Sequence, residues 1–357
     1  MGNIMNRNRF LKNISLFSAS SLFFKSKDLM ASTQLENTNS IKNSPSFWNL
    51  FSTDYRKNLR LWKHNTEKNP VIPAGTCDWK KYWTANPAII EFNGQTLLYY
   101  RGNGITATNP HRHDRLAVAG IKKITATDIE LVELTDNYIV DVGEKGSFDS
   151  SDALDPAAVV FNDKVYLYYS AIGVGKDSVG LAISNNGVKF EKYGKICTGR
   201  APTVVAANGK LYMIYQNDKG EGYKEFYLSE SSDGIYFTPT QKEPVFKGAM
   251  SGWDKYISTP RIYKEHDDFI MLYGGSPDLN DQPDYFGIAR SKDLINWEKH
   301  PGNPVFGIGA KGEEDGGAIW FPALVDIKSH YVILYEGSRG RYAWELSSQI
   351  CMSSIKK

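Results

Sequence analysis

Five stretches of this chain share one spacing: a proline, then a tyrosine thirteen residues later. They run Pro87 to Tyr100 (PAIIEFNGQTLLYY), Pro156 to Tyr169 (PAAVVFNDKVYLYY), Pro202 to Tyr215 (PTVVAANGKLYMIY), Pro260 to Tyr273 (PRIYKEHDDFIMLY) and Pro322 to Tyr335 (PALVDIKSHYVILY). Each is a β-rich run, a polar turn and a second run ending in aromatics, which is the pattern of a β-hairpin. Asn93-Gly94, Asn162-Asp163 and Asn208-Gly209 suit tight hairpin turns. Proline at the first position of a strand gives up only the N–H that the ladder needs least. Five hairpins on one ruler constrain the chain to a repeated sheet unit.

A third strand follows each of the later hairpins and ends in a small-residue turn. The turns are Ser184-Asn185-Asn186-Gly187, Ser231-Ser232-Asp233-Gly234 and Ser291-Lys292-Asp293-Leu294, each leading to an aromatic (Phe190, Phe237, Trp297) on a fourth strand. Residues 116–134 fill this place in the first repeat. The repeat starts are 69, 46, 58 and 62 residues apart, so five units of four antiparallel strands fit the 357-residue chain. The expected fold is all-β: a five-bladed β-propeller with blades of four antiparallel strands, closed by an N-terminal strand. The closing strand is read from an echo. Trp62-Lys63-His64 with Asn69-Pro70-Val71 matches Trp297 and Lys299-His300 with Asn303-Pro304-Val305. The later copy ends a repeat, the earlier one precedes the first repeat, and the last repeat lacks a copy of its own.

A composition of 41% hydrophobic and 13% aromatic residues can fill a core of this size. A net charge of +2 without a long basic run argues against a nucleic-acid partner. Cys77, Cys197 and Cys351 are too scattered for a disulfide framework. No stretch beyond the N-terminal region has the length of a membrane span. Residues 1–30 combine Arg7, Arg9 and Lys12 with the apolar run ISLFSASSLFF. They read as a bacterial export signal, similar to a twin-arginine signal with Asn8 between the arginines, and imply a periplasmic or secreted protein. Residues 31–57 read as a polar linker and 58–357 as the propeller.

Inner strands of a propeller converge on its axis, so the residues before the five prolines form a ring: Asn86, Asp155, Ala201, Thr259 and Phe321. Asp155 is the carboxylate beside a repeat proline. The connectors between blades add Asp149, Asp152, Asp254, Glu313, Glu314 and Asp315, among Trp79, Trp83, Phe148, Trp253 and Trp320. Carboxylates among aromatic rings suit a sugar site: rings cover the apolar faces of the sugar, and an acid and a base flank the scissile bond. A carboxylate separation of about 6.5–9.5 Å admits a water and gives inversion. Apolar surroundings and a second carboxylate raise the acid's pKa toward neutrality. Asp155 is therefore expected to act as an acid/base residue, partnered by Glu314 or Asp254. Asn86, Arg101, Asp149, Arg200, Arg261, Trp253, Trp320 and His113 are expected to bind substrate. The alternative for the aspartates is structural, as turn and connector caps. His111 and His113 lack further ligands in the sequence, and neither a metal nor a cofactor is expected. No phosphate-binding glycine loop and no Gly-x-Ser-x-Gly motif occurs.

These features resemble the five-bladed propeller glycosidases, the group of glycoside hydrolase families 32, 43, 62, 68, 117 and 130, over roughly residues 60–355. Gly146-Ser147-Phe148-Asp149-Ser150 with Asp155-Pro156 and Tyr166-Leu167-Tyr168-Tyr169 is similar to the family 117 and family 43 pattern. Ala85-Asn86-Pro87-Ala88-Ile89 with Leu98-Tyr99-Tyr100-Arg101 resembles the Asn-Pro motif of family 130 and its following arginine. The family 43 resemblance implies an aspartate base in blade one, an aspartate in blade two and a glutamate acid in blade three. Those places hold Asn86, Asp155 and Thr203, so only Asp155 fits. The family 130 resemblance implies Asp155 as proton donor, with arginines on phosphate or sugar. The expected function is a glycoside hydrolase acting on an oligo- or polysaccharide. The alternatives are a family 130-like glycoside phosphorylase and a glycan-binding propeller without catalysis.

Overall fold

A computed structural model describes residues 40–41, 46–279 and 281–357. The expected export signal and residues 31–39 and 42–45 of the expected linker lie outside the described residues. Five antiparallel sheets stand in a ring, and the fold is a five-bladed β-propeller. The inner strands are Trp83–Phe92, Asp152–Phe161, Arg200–Ala207, Tyr256–Glu265 and Ala318–Ile327. Each touches the inner strands of both neighbouring blades, and Ala318–Ile327 meets Trp83–Phe92 to close the circle. The second strands, Gln95–Gly104, Lys164–Ile172, Lys210–Asp218, Asp268–Ser276 and His330–Ser338, end on the face where the connectors cross.

Side chains alternate along a strand, so each sheet feeds two cores. Five apolar clusters fill the five gaps between blades. Between blades four and five, Ile270, Phe286 and Tyr263 meet Leu324, Ile333 and Tyr335. Phe47, Trp48, Phe51 and Trp62 enter this same gap and are buried there. The linker expected to reach residue 57 thus gives way to packed structure from Ser46 onward. The aromatics of an otherwise polar segment find apolar space between two blades, and Glu265 accepts hydrogen bonds from Ser46 Oγ and the Phe47 N–H. The helix Tyr55–Leu59 follows, capped by Asp54.

The two-residue strand Lys63–His64 pairs antiparallel with Gln349–Lys356, with Lys63 opposite Ser354. It is the outermost strand of the sheet that ends the chain. The sequence echo has a shared geometry. Asn303 clamps Ile288 by accepting from its N–H (2.9 Å) and donating to its carbonyl (2.9 Å). Asn69 clamps Met352 in the same way, at 2.8 and 3.2 Å. Both asparagines precede a cis proline peptide.

The five prolines mark a distortion rather than a plain strand start. Each inner strand skips two residues of its ladder at the X-Pro step: Ala85/Ala88, Leu154/Ala157, Arg200/Thr203, Ser258/Arg261 and Trp320/Ala323. The residue before every proline is left-handed, with φ of 53° at Asn86, 52° at Asp155, 46° at Ala201, 50° at Thr259 and 51° at Phe321. Asn and Asp tolerate this region, whereas a β-branched Thr and a bulky Phe are outliers that cost about 1–3 kcal/mol each. Bonds from the preceding blade hold two of them: Ala201 N donates to Ser170 Oγ (2.8 Å), and Thr259 N to Gln216 Oε1 (3.3 Å).

Blade four ties the bulges together across the axis. Arg261 donates to the carbonyls of Pro202 (3.1 Å), Pro156 (3.0 Å) and Pro87 (3.5 Å). Tyr263 donates to the carbonyl of Pro322 (2.9 Å). The Arg261 guanidinium also lies 4.6 Å from the Phe321 ring centre. Burial pulls its pKa down to about 10, which leaves it charged at neutral pH. Arg261 is thus the hub of the ring, not the substrate ligand expected from its position, because its terminal nitrogens are spent on backbone carbonyls. Arg261→Met keeps the bulk but leaves three buried carbonyls without donors. It should lower stability by at least about 3 kcal/mol, read as a fall in the urea midpoint.

Candidate functional site

Three connectors carry one repeated lock. Asp149 accepts from Tyr169 Oη (3.0 Å) and Lys192 Nζ (2.7 Å). Asp254 accepts from Tyr273 Oη (3.3 Å) and Lys299 Nζ (2.6 Å). Asp315 accepts from Tyr335 Oη (2.6 Å) and lies 2.7 Å from His64 Nδ1. Each tyrosine is the one that ends the thirteen-residue ruler, and the second partner, Lys192, Lys299 or His64, comes from the outer strand of the same blade. Blade one reverses the signs: Lys80 on the connector meets Tyr100 Oη (3.4 Å) and Glu133 (3.1 Å).

The locks account for several expected site residues. Asp254 and Asp149 bind connector to sheet within their own blades. Glu314 is bound by Arg339 and by Gln349 Nε2 (3.0 Å) within blade five. Neither Asp254 nor Glu314 shares a hydrogen bond or ion pair with Asp155 among the described residues. Trp253 lies against Tyr273, with its ring where a Cβ on Gly275 or Gly287 would stand. Trp320 is buried beside Ala201, Ala318 and Phe321, and its indole donates to the Asp281 carbonyl (2.7 Å). These rings are occupied by packing because each has glycine or apolar surface directly beneath it.

The remaining residues converge at the axis. The Asp155 carboxylate is 2% exposed; Oδ1 accepts from Asn86 Nδ2 (2.8 Å), and Oδ2 lies 3.7 Å from Arg200. Arg200 also stands 3.7 Å from Asp177 and makes no hydrogen bond through its guanidinium among the described residues. Arg101 bridges Asp114 (3.2 Å) and Glu336 (3.3 Å). Asp114 is held further by Trp83 Nε1 and Asn103 Nδ2, both at 3.0 Å. Arg112 stacks over Tyr82 and Trp83, at 4.1 and 4.4 Å. His113 sits nearby and donates through Nδ1 to the Ser151 carbonyl. Asn86 Oδ1, Asp155 Oδ2, Arg101 Nε, Arg200 Nε and Thr259 Oγ1 are all buried without a hydrogen-bond partner. Such groups are costly unless a ligand or water completes them.

Four carboxylates of this bowl, Asp114, Asp177, Asp281 and Glu336, escaped sequence reasoning. Glu336 directly follows the tyrosine that ends the fifth hairpin, the same position Arg101 holds in the first, so the ruler itself carried the signal. Asp281 comes from the loop of blade four between Ser276 and Tyr285, binds Lys224, and has no repeat to announce it. Burial raises the Glu336 carboxyl above its ordinary value, and Arg101 only partly opposes this. Burial would raise the Asp281 carboxyl, whose side chain is still 47% exposed, but Lys224 and then Arg200 hold it below the usual carboxylate range. Burial disfavours the charged form of Arg101 and Arg200; the carboxylates around them, Asp114 first for Arg101 and Asp155 first for Arg200, raise both on balance. Six carboxylates (Asp114, Asp152, Asp155, Asp177, Asp281, Glu336) therefore face four cations (Arg101, Arg112, Arg200, Lys224). Among the described residues no cluster of three or more His, Cys, Asp or Glu is arranged to hold a metal ion.

No protein-family profile matches this sequence, and no curated protein sequence matches it. Solved structures share its architecture. A glycosyl hydrolase from Bacteroides ovatus aligns over 82% of this chain and 92% of its own, with a TM-score of 0.61 and 15% identity. A β-1,2-mannobiose phosphorylase from Listeria innocua aligns over 81% and 95%, with a TM-score of 0.62 and 14% identity. A thermostable family-43 glycoside hydrolase covers 81% and 91%, with a TM-score of 0.57 and 16% identity. At these identities the likeness is one of fold: the five-bladed propeller on which these glycan-cleaving enzymes are built.

The locks generate a pH prediction. Burial alone would raise the carboxyls of Asp149 and Asp315, but Lys192 and His64, with the tyrosines, bring both below their ordinary value. The stabilisation they provide is present above the unfolded-state pKa of about 3.9 and is lost as pH falls through the lower folded value. Asp315→Asn should cost about 1–3 kcal/mol at pH 7. Urea titrations at successive pH values should show the gap to the parent protein closing on acidification.

Proposed function

We propose that this protein is a glycoside hydrolase whose reaction centre is the axial bowl around Asp155. The observation that carries the reading is a buried carboxylate on a left-handed bulge, flanked by an amide and two arginines with unpartnered polar atoms. The fold shared with glycan-cleaving enzymes supports a carbohydrate as ligand. A sugar hydroxyl can accept from Arg200 Nε, which has no hydrogen-bond partner, and donate to Asn86 Oδ1. Asp155 acts on the scissile bond as the acid/base group. Glu336, rather than Asp254 or Glu314, is the second carboxyl, and burial favours its proton-bearing form. Arg101 pairs with Glu336 (3.3 Å) and is further stabilised by the charge of Asp155. Among the described residues no helix is long and apolar enough to cross a membrane, and the basic, then apolar, start of the chain supports an exported enzyme.

Phosphorolysis is the second reading, favoured by the arginines and by the Asn86-Pro87 and Arg101 pattern. The excess of carboxylates over cations in the bowl disfavours a phosphate dianion and supports water as the nucleophile. Incubation with oligosaccharide ladders of mannose, arabinose, xylose and galactose, with and without phosphate, separates the two. Hydrolysis releases free reducing sugar in either buffer, whereas phosphorolysis releases sugar 1-phosphate only when phosphate is present. Saturable binding with no product would instead identify a lectin-like propeller. Asp155→Asn should lower kcat on the cleaved ladder by about 10²–10⁴-fold while substrate binding persists. Turnover near that of the parent would remove Asp155 from the chemistry.

A further inference from the structure

The rim of the bowl over blade five carries an aromatic pair that the proposed chemistry does not use. Tyr342 and Trp344 lie on the loop between the second strand, which ends at Ser338, and the third, which begins at Gln349. Their rings are 4.9 Å apart and 5° from parallel. Trp344 is 81% exposed, more than any other aromatic among the described residues, and Tyr342 is 42% exposed. The stacked pair presents a wide apolar ring surface to solvent on a loop held in place.

The loop is fixed at several points. Arg341 donates to Asp278 (2.7 Å) and pairs with Asp284, both on the loop side of blade four. Ser347 N donates to Ser338 Oγ (3.1 Å) and closes the base of the loop. Glu345 accepts from the Tyr342 N–H (3.4 Å). Leu346 packs on the axial cluster of Ala201, Trp320 and Phe321. Trp344 thus stands two residues, at most about 7 Å of chain, from a side chain that touches the lining of the bowl. One indole face covers Tyr342 and the other is open.

We propose that Tyr342 and Trp344 form a distal sugar platform. A glycan whose target bond lies in the bowl runs outward over blade five and lays the C–H face of a further unit on the open face of Trp344. The chemistry of the pair favours a sugar over a protein partner. Two rings offer far less than the roughly 800 Å² per side of a stable protein interface, and their neighbours Arg339, Arg341 and Glu345 are polar. A sugar ring presents the matching combination, an apolar face and a rim of hydroxyls. The inference rests on the bowl being a glycan site, and it makes the substrate a chain that continues beyond the cleaved bond.

The test measures affinity of the full-length protein for the same four oligosaccharide ladders, one to six units long, by calorimetry. In the parent, affinity for at least one ladder should rise with length. Trp344→Ala should lose at least tenfold in affinity for the longer members and leave the shortest bound member unchanged, while Trp344→Phe keeps part of the gain. Because Trp344 is solvent-exposed, both variants should keep the parent's unfolding midpoint. A ladder that shows this pattern without being cut supports the platform and removes the hydrolase reading. A ladder that is cut, with equal length dependence in parent and Trp344→Ala, overturns the platform alone. Absence of binding to every ladder overturns both.

Discussion

The carbonyls of four repeat prolines converge on two side chains of a single blade. Arg261 takes those of Pro87, Pro156 and Pro202, and Tyr263 takes that of Pro322. A ring of sheets has no covalent closure, and its inner strands bring unpaired backbone groups to a narrow axis. Every X-Pro step interrupts the ladder, so these carbonyls lose their strand partners by design of the repeat. The guanidinium, with donors spread in one plane, serves several acceptors at once. Buried carbonyls need those donors, and the guanidinium in turn needs those acceptors to remain charged away from water. The axis is therefore both plugged and held in register by one arginine.

Above this plug the same distortion builds the site. A left-handed residue turns the chain so that the side chain before proline faces the axis, and the following blade's bulge is pinned by the preceding blade. In blades three, four and five the residue is Ala201, Thr259 or Phe321, and in blade five it packs on the plug. In blades one and two it is Asn86 or Asp155, and the pair face each other with polar atoms left over. The repeat is thus symmetric in backbone and asymmetric in chemistry. The proposed reaction centre lies where two of the left-handed residues, Asn86 and Asp155, are hydrogen-bonded to each other.

The connector locks of aspartate, tyrosine and a lysine or histidine hold Asp149, Asp254 and Asp315 within their own blades. A connector aspartate between a ruler tyrosine and a lysine or histidine of the outer strand joins the first and last parts of a blade. The same chemistry appears with reversed sign in blade one, where Lys80 replaces the aspartate and Glu133 the cation. What matters is a paired charge around the tyrosine hydroxyl, not its polarity. Trp79 and Trp253 follow the same logic, since Gly102 below one and Gly275 and Gly287 below the other leave room for the ring to lie flat on the sheet.

Periodicity alone was enough to specify hairpins, blade number, the four-strand unit and the kinship of Lys63–His64 with the outer strand of a blade, because those depend on local pattern repeated at fixed spacing. It also marked Asp155 and Asn86 as neighbours of the axis, since a residue flanking a repeat proline must lie there. Glu336 was legible in the same ruler, one place after its closing tyrosine. The packing of Phe47, Trp48 and Phe51 was not legible: a polar segment conceals its aromatics until two blades offer a gap. Only the assembled ring could decide that Arg261 faces carbonyls, that Asp254 and Glu314 turn into their own blades, and that Asp281 reaches Lys224. Those outcomes depend on distances between residues far apart in the chain, and no spacing along a sequence encodes which of several carboxylates finds a cation first.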